Sequence, residues 1–268
     1  MLTPAADIDR IAPTRRPAGP AVGYHTWRNL TFLHWKFPPE LIAPLLPPGL
    51  SLDTFDGDAW VGLVPFYMAN VRPRWFCAVP GLSNFCETNV RTYVHYRGRD
   101  PGVWFLSLEA SNSIAVLAAR LGWHLPYFRS VMHLSIEGTL HQYNCRRLWP
   151  SPRHVGCQVT ALFGPLLGAD DPDRPRPAGQ ALPGTLEHFL IERYLLYAQG
   201  RRGDLYCGQV HHPPYPVRHI ELLQCEDTLL GSHGLEVARP PDHVAGSLGV
   251  DVEIFPLNPV RADLPTSP

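Results

Sequence analysis

The chain of 268 residues has 45% hydrophobic content and a formal net charge of -1, so it can bury a sizeable core and is not globally disordered. Its pI of about 6.9 indicates no basic surface of the kind that binds nucleic acid. These properties favour a small molecule as the partner and argue against nucleic acid.

The start of the chain and its cysteines indicate the cellular compartment. The first 20 residues carry acids and arginines where a signal peptide requires a continuous apolar core. No later run approaches the roughly 18 apolar residues of a membrane span. We therefore expect a cytoplasmic protein that does not associate with membranes. Six cysteines without CxxC spacing predict free thiols.

Polar and proline-rich segments divide the chain. Residues 1–22 lack apolar periodicity, which predicts a flexible N-terminal arm, and residues 261–268 are expected to form a tail. Between them, residues 23–260 are predicted to form one domain. Inside that domain, residues 164–184 have the composition of an exposed proline-rich loop.

The predicted elements are mostly strands. An Asp-Gly pair at residues 56–57 between two apolar runs is a strong turn signal and predicts a hairpin of its flanking strands. The predicted strands cover residues 27–35, 51–55, 59–68, 87–96, 103–110, 128–140, 142–148, 155–163, 205–212, 217–226 and 249–257. The predicted helices lie within residues 38–50, 113–122 and 185–198. This order predicts an α+β fold, mostly antiparallel β, with a few packed helices.

The segment ETNVRTYVHY, residues 87–96, has one polar face. Alternate strand residues share a face, and here that face carries Glu87, Asn89, Arg91, Tyr93 and His95. If it lines a cavity, Arg91 is suited to hold a carboxylate and Glu87 to move a proton. If it meets water, this is an ordinary half-exposed strand. The pattern alone leaves both readings open.

Two further features concern charged and metal-binding side chains. Arg193 falls in the apolar stripe of the predicted helix at residues 185–198, so it needs either a carboxylate partner or an anionic ligand. His211 is a candidate ligand-binding residue where a strand gives way to a proline turn. Because adjacent strand residues point to opposite faces, His211 and His212 are poorly placed to chelate one metal. No metal or cofactor is expected.

Several blocks, spread over residues 24–260, together resemble the YqjF-like family of bacterial proteins in the acetoacetate decarboxylase-like superfamily. The blocks are FLHWKFPPELIAPLLPPGLSLDTFDGDAWVGLVPF, FCETNVRTYV, GVWFLSLEA, AARLGWHLPYF, GTLEHFLIERYLLY, HHPPYP and GVDVEIFPL. The resemblance implies a cone-like, mostly antiparallel β-barrel whose lumen and mouth form the ligand pocket. It also implies that the polar face of residues 87–96 looks into that lumen.

The resemblance has one departure with chemical consequences. In the decarboxylases, a lysine after a proline forms a Schiff base with the keto acid. The segment ARLGWHLPYF looks like the corresponding piece, with Arg120 and Pro126 in matching places and Tyr127 where the lysine would be. A phenol cannot form an imine, and the only lysine of the chain, Lys36, lies outside this segment. Schiff-base decarboxylation is therefore not expected.

These residues predict a protein that binds a small carboxylate or carbonyl compound. As an enzyme it would carry out lysine-independent enolisation, dehydration or aldol-type lyase chemistry; the alternative is a non-catalytic binding or sensing module. The sequence leaves open whether the protein forms a homo-oligomer. The candidate catalytic residues are Glu87 and Tyr127, and the candidate substrate-binding residues are Asn89, Arg91, Tyr93, Arg120, Arg193 and His211.

Overall fold

The computed structural model describes residues 8–173 and 176–260, so residues 1–7 of the predicted arm and the predicted tail lie outside the described residues. Three α-helices occur in the described ranges: α1 (Pro39–Ile42), α2 (Ser113–Gly122) and α3 (Leu186–Ile191). The strands there are β1 (Gly23–Phe37), β2 (Leu50–Leu52), β3 (Ala59–Pro73), β4 (Phe85–Tyr96), β5 (Arg99–Ala110), β6 (Tyr127–Glu137), β7 (Leu140–Trp149), β8 (Gly156–Leu166), β9 (Leu195–Gln199), β10 (Leu205–His211), β11 (Val217–Asp227), β12 (His243–Ile254) and β13 (Asn258–Pro259).

The strands form one mixed sheet that is mostly antiparallel, as predicted. Its order is β13, β10, β9, β5, β6, β7, β8, β11, β12, β1, β3, β4 and β2, with additional pairings of β10 with β12 and of β5 with β4. Successive pairings that start at β5 and pass through β6, β7, β8, β11, β12, β1, β3 and β4 therefore return to β5. The pairings of β5 with β6 and with β9 are parallel.

Strand β4 is buried along its whole length, so the solvated reading of its polar face is wrong. One face, carrying Glu87, Asn89, Arg91 and Tyr93, is called the Glu87 face below. It lies against a core that includes Phe32 and Phe66 of β1 and β3. The opposite face, with Val90, packs into a second core closed by β7 and β8. Both faces are enclosed because β4 pairs with β3 and β5 on either side and cores cover it above and below.

Two sequence-based element assignments are wrong. The predicted first hairpin has its turn, with hydrogen bonds between Phe55 and Asp58, but β2 pairs with β4 and not with β3. The predicted helix at residues 185–198 ends at Ile191, and residues 195–199 form β9 between β5 and β10. The apolar residues of this segment have helical spacing, but hydrogen bonds to β5 on one side and β10 on the other make it a strand.

Other segments agree with the patterns that predicted them. Helix α2 begins after Asn112, whose side chain accepts hydrogen bonds from the backbone N–H groups of Ile114 and Ala115. All six cysteines lie in the described ranges and are free thiols, which confirms that prediction. No helix in the described part of the chain is long and apolar enough to cross a membrane.

A carboxyl-phenol pair and a polar strand inside the sheet: the candidate functional site

A carboxyl group and a phenol meet on the Glu87 face. The Tyr127 hydroxyl donates a hydrogen bond to Glu87 Oε2 at 2.9 Å. The sheet register explains this contact, because Ala110 lies opposite Glu87 and β6 starts beside the same end of β5. Glu87 is 4% exposed, whereas Tyr127 is only half-buried. The pair therefore lies where the core meets the surface.

Burial changes the acid-base properties of both members of this pair. It raises the pKa of the Glu87 carboxyl to about 8, against an opposing effect of the hydrogen bond from Tyr127. Burial and the adjacent carboxylate raise the pKa of Tyr127 well above its ordinary value. At neutral pH the carboxyl is thus poised near its pKa while the phenol keeps its proton, an arrangement suited to general acid-base chemistry.

Further along the same face, two donors converge on one backbone oxygen. Arg91 Nη2 donates to the Leu190 carbonyl at 3.0 Å, and the Tyr93 hydroxyl donates to the same oxygen at 2.8 Å. The guanidinium also lies 5.8 Å from the centre of the Phe32 ring. Leu190 belongs to α3, so these bonds fix that short helix against β4.

A histidine chain continues from Tyr93 towards the surface. His34 Nε2 lies 2.8 Å from the Tyr93 hydroxyl, and His34 Nδ1 lies 3.1 Å from Nδ1 of His243. Tyr93 gives its one proton to the Leu190 carbonyl, which only accepts, so His34 Nε2 donates to Tyr93. Burial, then the nearby His243 and Arg91, lower the pKa of His34 well below its ordinary value. His34 is therefore neutral, and its Nδ1 accepts from His243.

Several buried polar atoms near the Glu87 face lack a hydrogen-bond partner among the described residues. They include Asn89 Oδ1, Arg91 Nε, Trp27 Nε1 and His212 Nε2. His212 Nδ1 lies 2.8 Å from the Pro213 carbonyl and so carries the proton, which leaves Nε2 as an acceptor. Each unsatisfied buried group costs about 1–3 kcal/mol. Such a cluster is typical of a site that a ligand or ordered water completes.

Aromatic side chains lie close to one another near these atoms. Tyr215 lies 5.6 Å from Phe32 and 4.6 Å from His212, and Trp27 lies 5.8 Å from His212 and 6.0 Å from Phe66, all between ring centres. Phe66 is the cross-strand neighbour of Glu87. His212 was not among the residues predicted for the site, whereas its neighbour His211 was. The stretch VHHPPYP contains both histidines at the end of a predicted strand. Only the strand register decides which of the two faces inward.

Three predicted site residues lie elsewhere or are already engaged. Arg193 Nη1 pairs with the buried Asp53 at 2.8 Å, so the carboxylate partner, one of the two predicted alternatives, is present. Arg120 donates to the backbone oxygen of Tyr127 and lies over the Trp149 ring. His211 pairs across the strands with Glu253, and it alternates with Val210, which belongs to the core. His211 therefore faces away from that core.

Lys36 and the two surface depressions lie away from the predicted site residues. Lys36 Nζ is half exposed and lies 3.4 Å from Asp58, outside the Glu87 face. Two depressions of about 390 and 450 Å³ lie on the surface, and no predicted site residue lines either of them. Within residues 8–173 and 176–260, no group of three or more His, Cys, Asp or Glu side chains is arranged to hold a metal ion.

The fold is that of the acetoacetate decarboxylase-like proteins. An acetoacetate decarboxylase-like enzyme from Sphingomonas wittichii matches with a TM-score of 0.61 and 9% identity, over 91% of this chain and 95% of that one. The acetoacetate decarboxylase of Legionella pneumophila matches with 0.59 and 14%, over 97% and 96%. The enduracididine biosynthesis enzyme MppR, complexed with pyruvate, matches with 0.57 and 14%, over 91% and 93%.

The sequence identifies the family within that fold. Residues 24–251 match the DUF2071 family, described as an uncharacterized conserved protein. The chain is also 31% identical over 241 residues to the uncharacterized protein YqjF of Bacillus subtilis, covering 90% of this chain and 93% of that protein. The chain belongs to this family, which confirms the resemblance stated from the sequence blocks.

Proposed function

We propose that this protein binds a small carboxylate or carbonyl compound on the Glu87 face and moves a proton on it with Glu87 and Tyr127. The observation that carries the proposal is the contact between a buried carboxyl, with its pKa raised to about 8, and a half-buried phenol. The ring of strand pairings supports the predicted barrel, whose lumen this face would line.

Each group has a role that its surroundings support. Glu87 acts as the base, because a carboxylate with a raised pKa is a stronger proton acceptor near neutral pH. The Tyr127 hydroxyl donates to the oxygen that gains charge, and Arg91 neutralises the carboxylate of the ligand. These roles suit enolisation, dehydration or an aldol-type step. Lys36 takes no part because it lies at the surface, beside Asp58.

The side chains around the site and one structural neighbour indicate the size of the ligand. Phe32, Phe66 and Tyr215 belong to the core beside β4, and their bulk favours a compound of a few carbon atoms. MppR has been solved with pyruvate, and a three-carbon acid is the scale that this core would admit.

The second candidate function is a non-catalytic binding or sensing module. One observation favours it: the Leu190 carbonyl already takes hydrogen bonds from Arg91 and Tyr93. Donors held by the chain itself preorganise a binding site without requiring turnover. Exchange of carbon-bound ligand protons with deuterated solvent separates the two functions, because a binder leaves those protons untouched.

A thermal-shift screen of 2-oxo and 2-hydroxy acids with three to five carbons tests binding. Saturation at about a hundred times the dissociation constant adds roughly 2.7 kcal/mol, or about 5 °C in Tm. The shift should vanish in Arg91→Met and persist in Arg28→Met, a control at a surface ion pair with Asp251. Equal shifts in wild type and Arg91→Met would contradict the assigned anion site.

A further inference from the structure

Asn89 and Arg91 present a matched acceptor and donor. Both lie on the Glu87 face, two residues apart on β4, or about 7 Å along a strand. Asn89 is 6% exposed and Arg91 is 9% exposed. Asn89 Oδ1 and Arg91 Nε are both buried without a hydrogen-bond partner among the described residues, so they do not satisfy each other.

The chemistry of these two atoms restricts what can lie between them. The guanidinium Nε–H only donates, and the amide oxygen only accepts. A single molecule that satisfies both must offer an acceptor to Arg91 and a donor to Asn89. As the structure orients this amide, with Oδ1 in the buried position, a 2-oxo acid anion, which carries acceptors only, would place its carbonyl oxygen against the amide oxygen of Asn89.

We infer that the ligand class of this site is the 2-hydroxy carboxylates, with the carboxylate accepting from Arg91 and the 2-hydroxyl donating to Asn89. A 2-amino acid also has a donor, but its ammonium would put a second cation beside a buried guanidinium. The inference rests on the proposed function, since it names the ligand of the same face. It also separates this chain from the neighbour solved with pyruvate.

The position of Glu87 agrees with this class. It lies two residues before Asn89 on the same face, on the opposite side of Asn89 from Arg91. An acid with its hydroxyl at Asn89 and its carboxylate at Arg91 directs its remaining carbon atoms towards Glu87 and Tyr127. Glu87 and Tyr127 therefore lie beside the carbon chain of the ligand, where the proposed function needs its base.

Calorimetric titration with a matched pair of acids tests the inference. Both enantiomers of 2-hydroxybutanoate and the 2-oxobutanoate of equal charge and chain length are compared on the wild-type protein, on Asn89→Leu and on Arg91→Met. We expect one hydroxy acid enantiomer to bind the wild type at least about tenfold more tightly than the oxo acid, because a site built for a hydroxyl rejects the analogue that lacks it. Asn89→Leu should abolish that preference, and Arg91→Met should weaken both acids.

The outcomes separate this inference from the proposed function. Equal or tighter binding of the oxo acid, dependent on Arg91, would overturn the hydroxy acid assignment and leave the proposed function standing. A tenfold preference that survives in Asn89→Leu would overturn the role of Asn89. No Arg91-dependent binding of either acid at millimolar concentration would overturn both. The wild-type ratio decides the ligand class even if Asn89→Leu fails to fold.

Discussion

At the scale of single residues, Glu87 combines burial with a raised carboxyl pKa. Its carboxyl is buried on a central strand, and the Tyr127 hydroxyl is the hydrogen-bond donor that the structure shows to it. A carboxyl with a pKa of about 8 carries a proton at pH 6 and largely loses it at pH 9. At neutral pH the folded protein therefore keeps Glu87 mostly protonated, whereas in an unfolded chain the same side chain would be a carboxylate.

This difference predicts a pH dependence of stability. Between the ordinary pKa of 4.5 and about 8, the folded state keeps a proton that the unfolded state has lost. The contribution of Glu87 is thus fully present below pH 4.5, and the free energy of unfolding falls by up to about 1.4 kcal/mol per pH unit as pH rises towards 8. Glu87→Gln, which cannot ionise, should lack this slope. Urea titrations at several pH values measure it, and parallel slopes in both proteins would contradict the raised pKa.

Tyr127→Phe tests the other half of the pair. The hydrogen bond from Tyr127 lowers the pKa of Glu87, so its loss should move that pKa further above 8. The pH at which the stability slope of the previous experiment ends should rise accordingly. Tyr67→Phe is the control, because Tyr67 packs in the core on the other side of the sheet. An unchanged end point in Tyr127→Phe would mean that the phenol does not contact the carboxyl in solution.

At the scale of elements, close approach between strands β1, β3 and β4 positions the arginine of the site. A Cβ at Gly62 would lie 2.8 Å from the His34 ring and 3.5 Å from Arg91 Cγ. Gly62→Ala should therefore displace His34 and destabilise the protein by about 1–3 kcal/mol, the usual cost of overpacking. Gly122→Ala is the control, since nothing lies within 4 Å of a Cβ there. Equal stability of the two variants in denaturant titrations would contradict this packing.

The buried ion pair that follows α3 gives a second prediction at this scale. Asp53, 1% exposed, pairs with Arg193 and also with Arg10 of the N-terminal segment. Asp53→Asn leaves the buried Arg193 without its counter-charge and should cost about 3–5 kcal/mol. Asp58→Asn, at the half-exposed pair with Lys36, should cost within about 1 kcal/mol. Similar losses in both variants would mean that Arg193 is not buried as described.

Local patterns predicted most of the elements and failed where long-range pairing decides. Helix α2 was predictable from its helix formers and from the glycine at its end. Strand β9 was not predictable, because its apolar residues continue the helical spacing of α3. Its hydrogen bonds to β10 and to β5, which is distant in sequence, determine that it is a strand. The same limit applies to the site. Glu87, Asn89 and Arg91 could be grouped from alternation alone, whereas the contact of Glu87 with Tyr127 depends on how β6 aligns with β5.

At the scale of the whole molecule, the Glu87 face draws on distant parts of the chain. Phe32 and Trp27 come from β1, Tyr127 from β6, and Leu190 from α3. A ligand on this face would connect segments that are far apart in sequence, so binding should stabilise the fold as one unit.

Proton exchange on a bound acid is the most direct test of the central claim, that Glu87 and Tyr127 move a proton on a small ligand. The acid that gives the largest thermal shift is incubated with the protein in deuterated water and followed by NMR. The proposal predicts deuterium at a carbon of the ligand with wild type, a loss of at least about a hundredfold in rate with Glu87→Gln, and an unchanged rate with Asp58→Asn. Binding without exchange in wild type, or exchange that survives in Glu87→Gln, would contradict it.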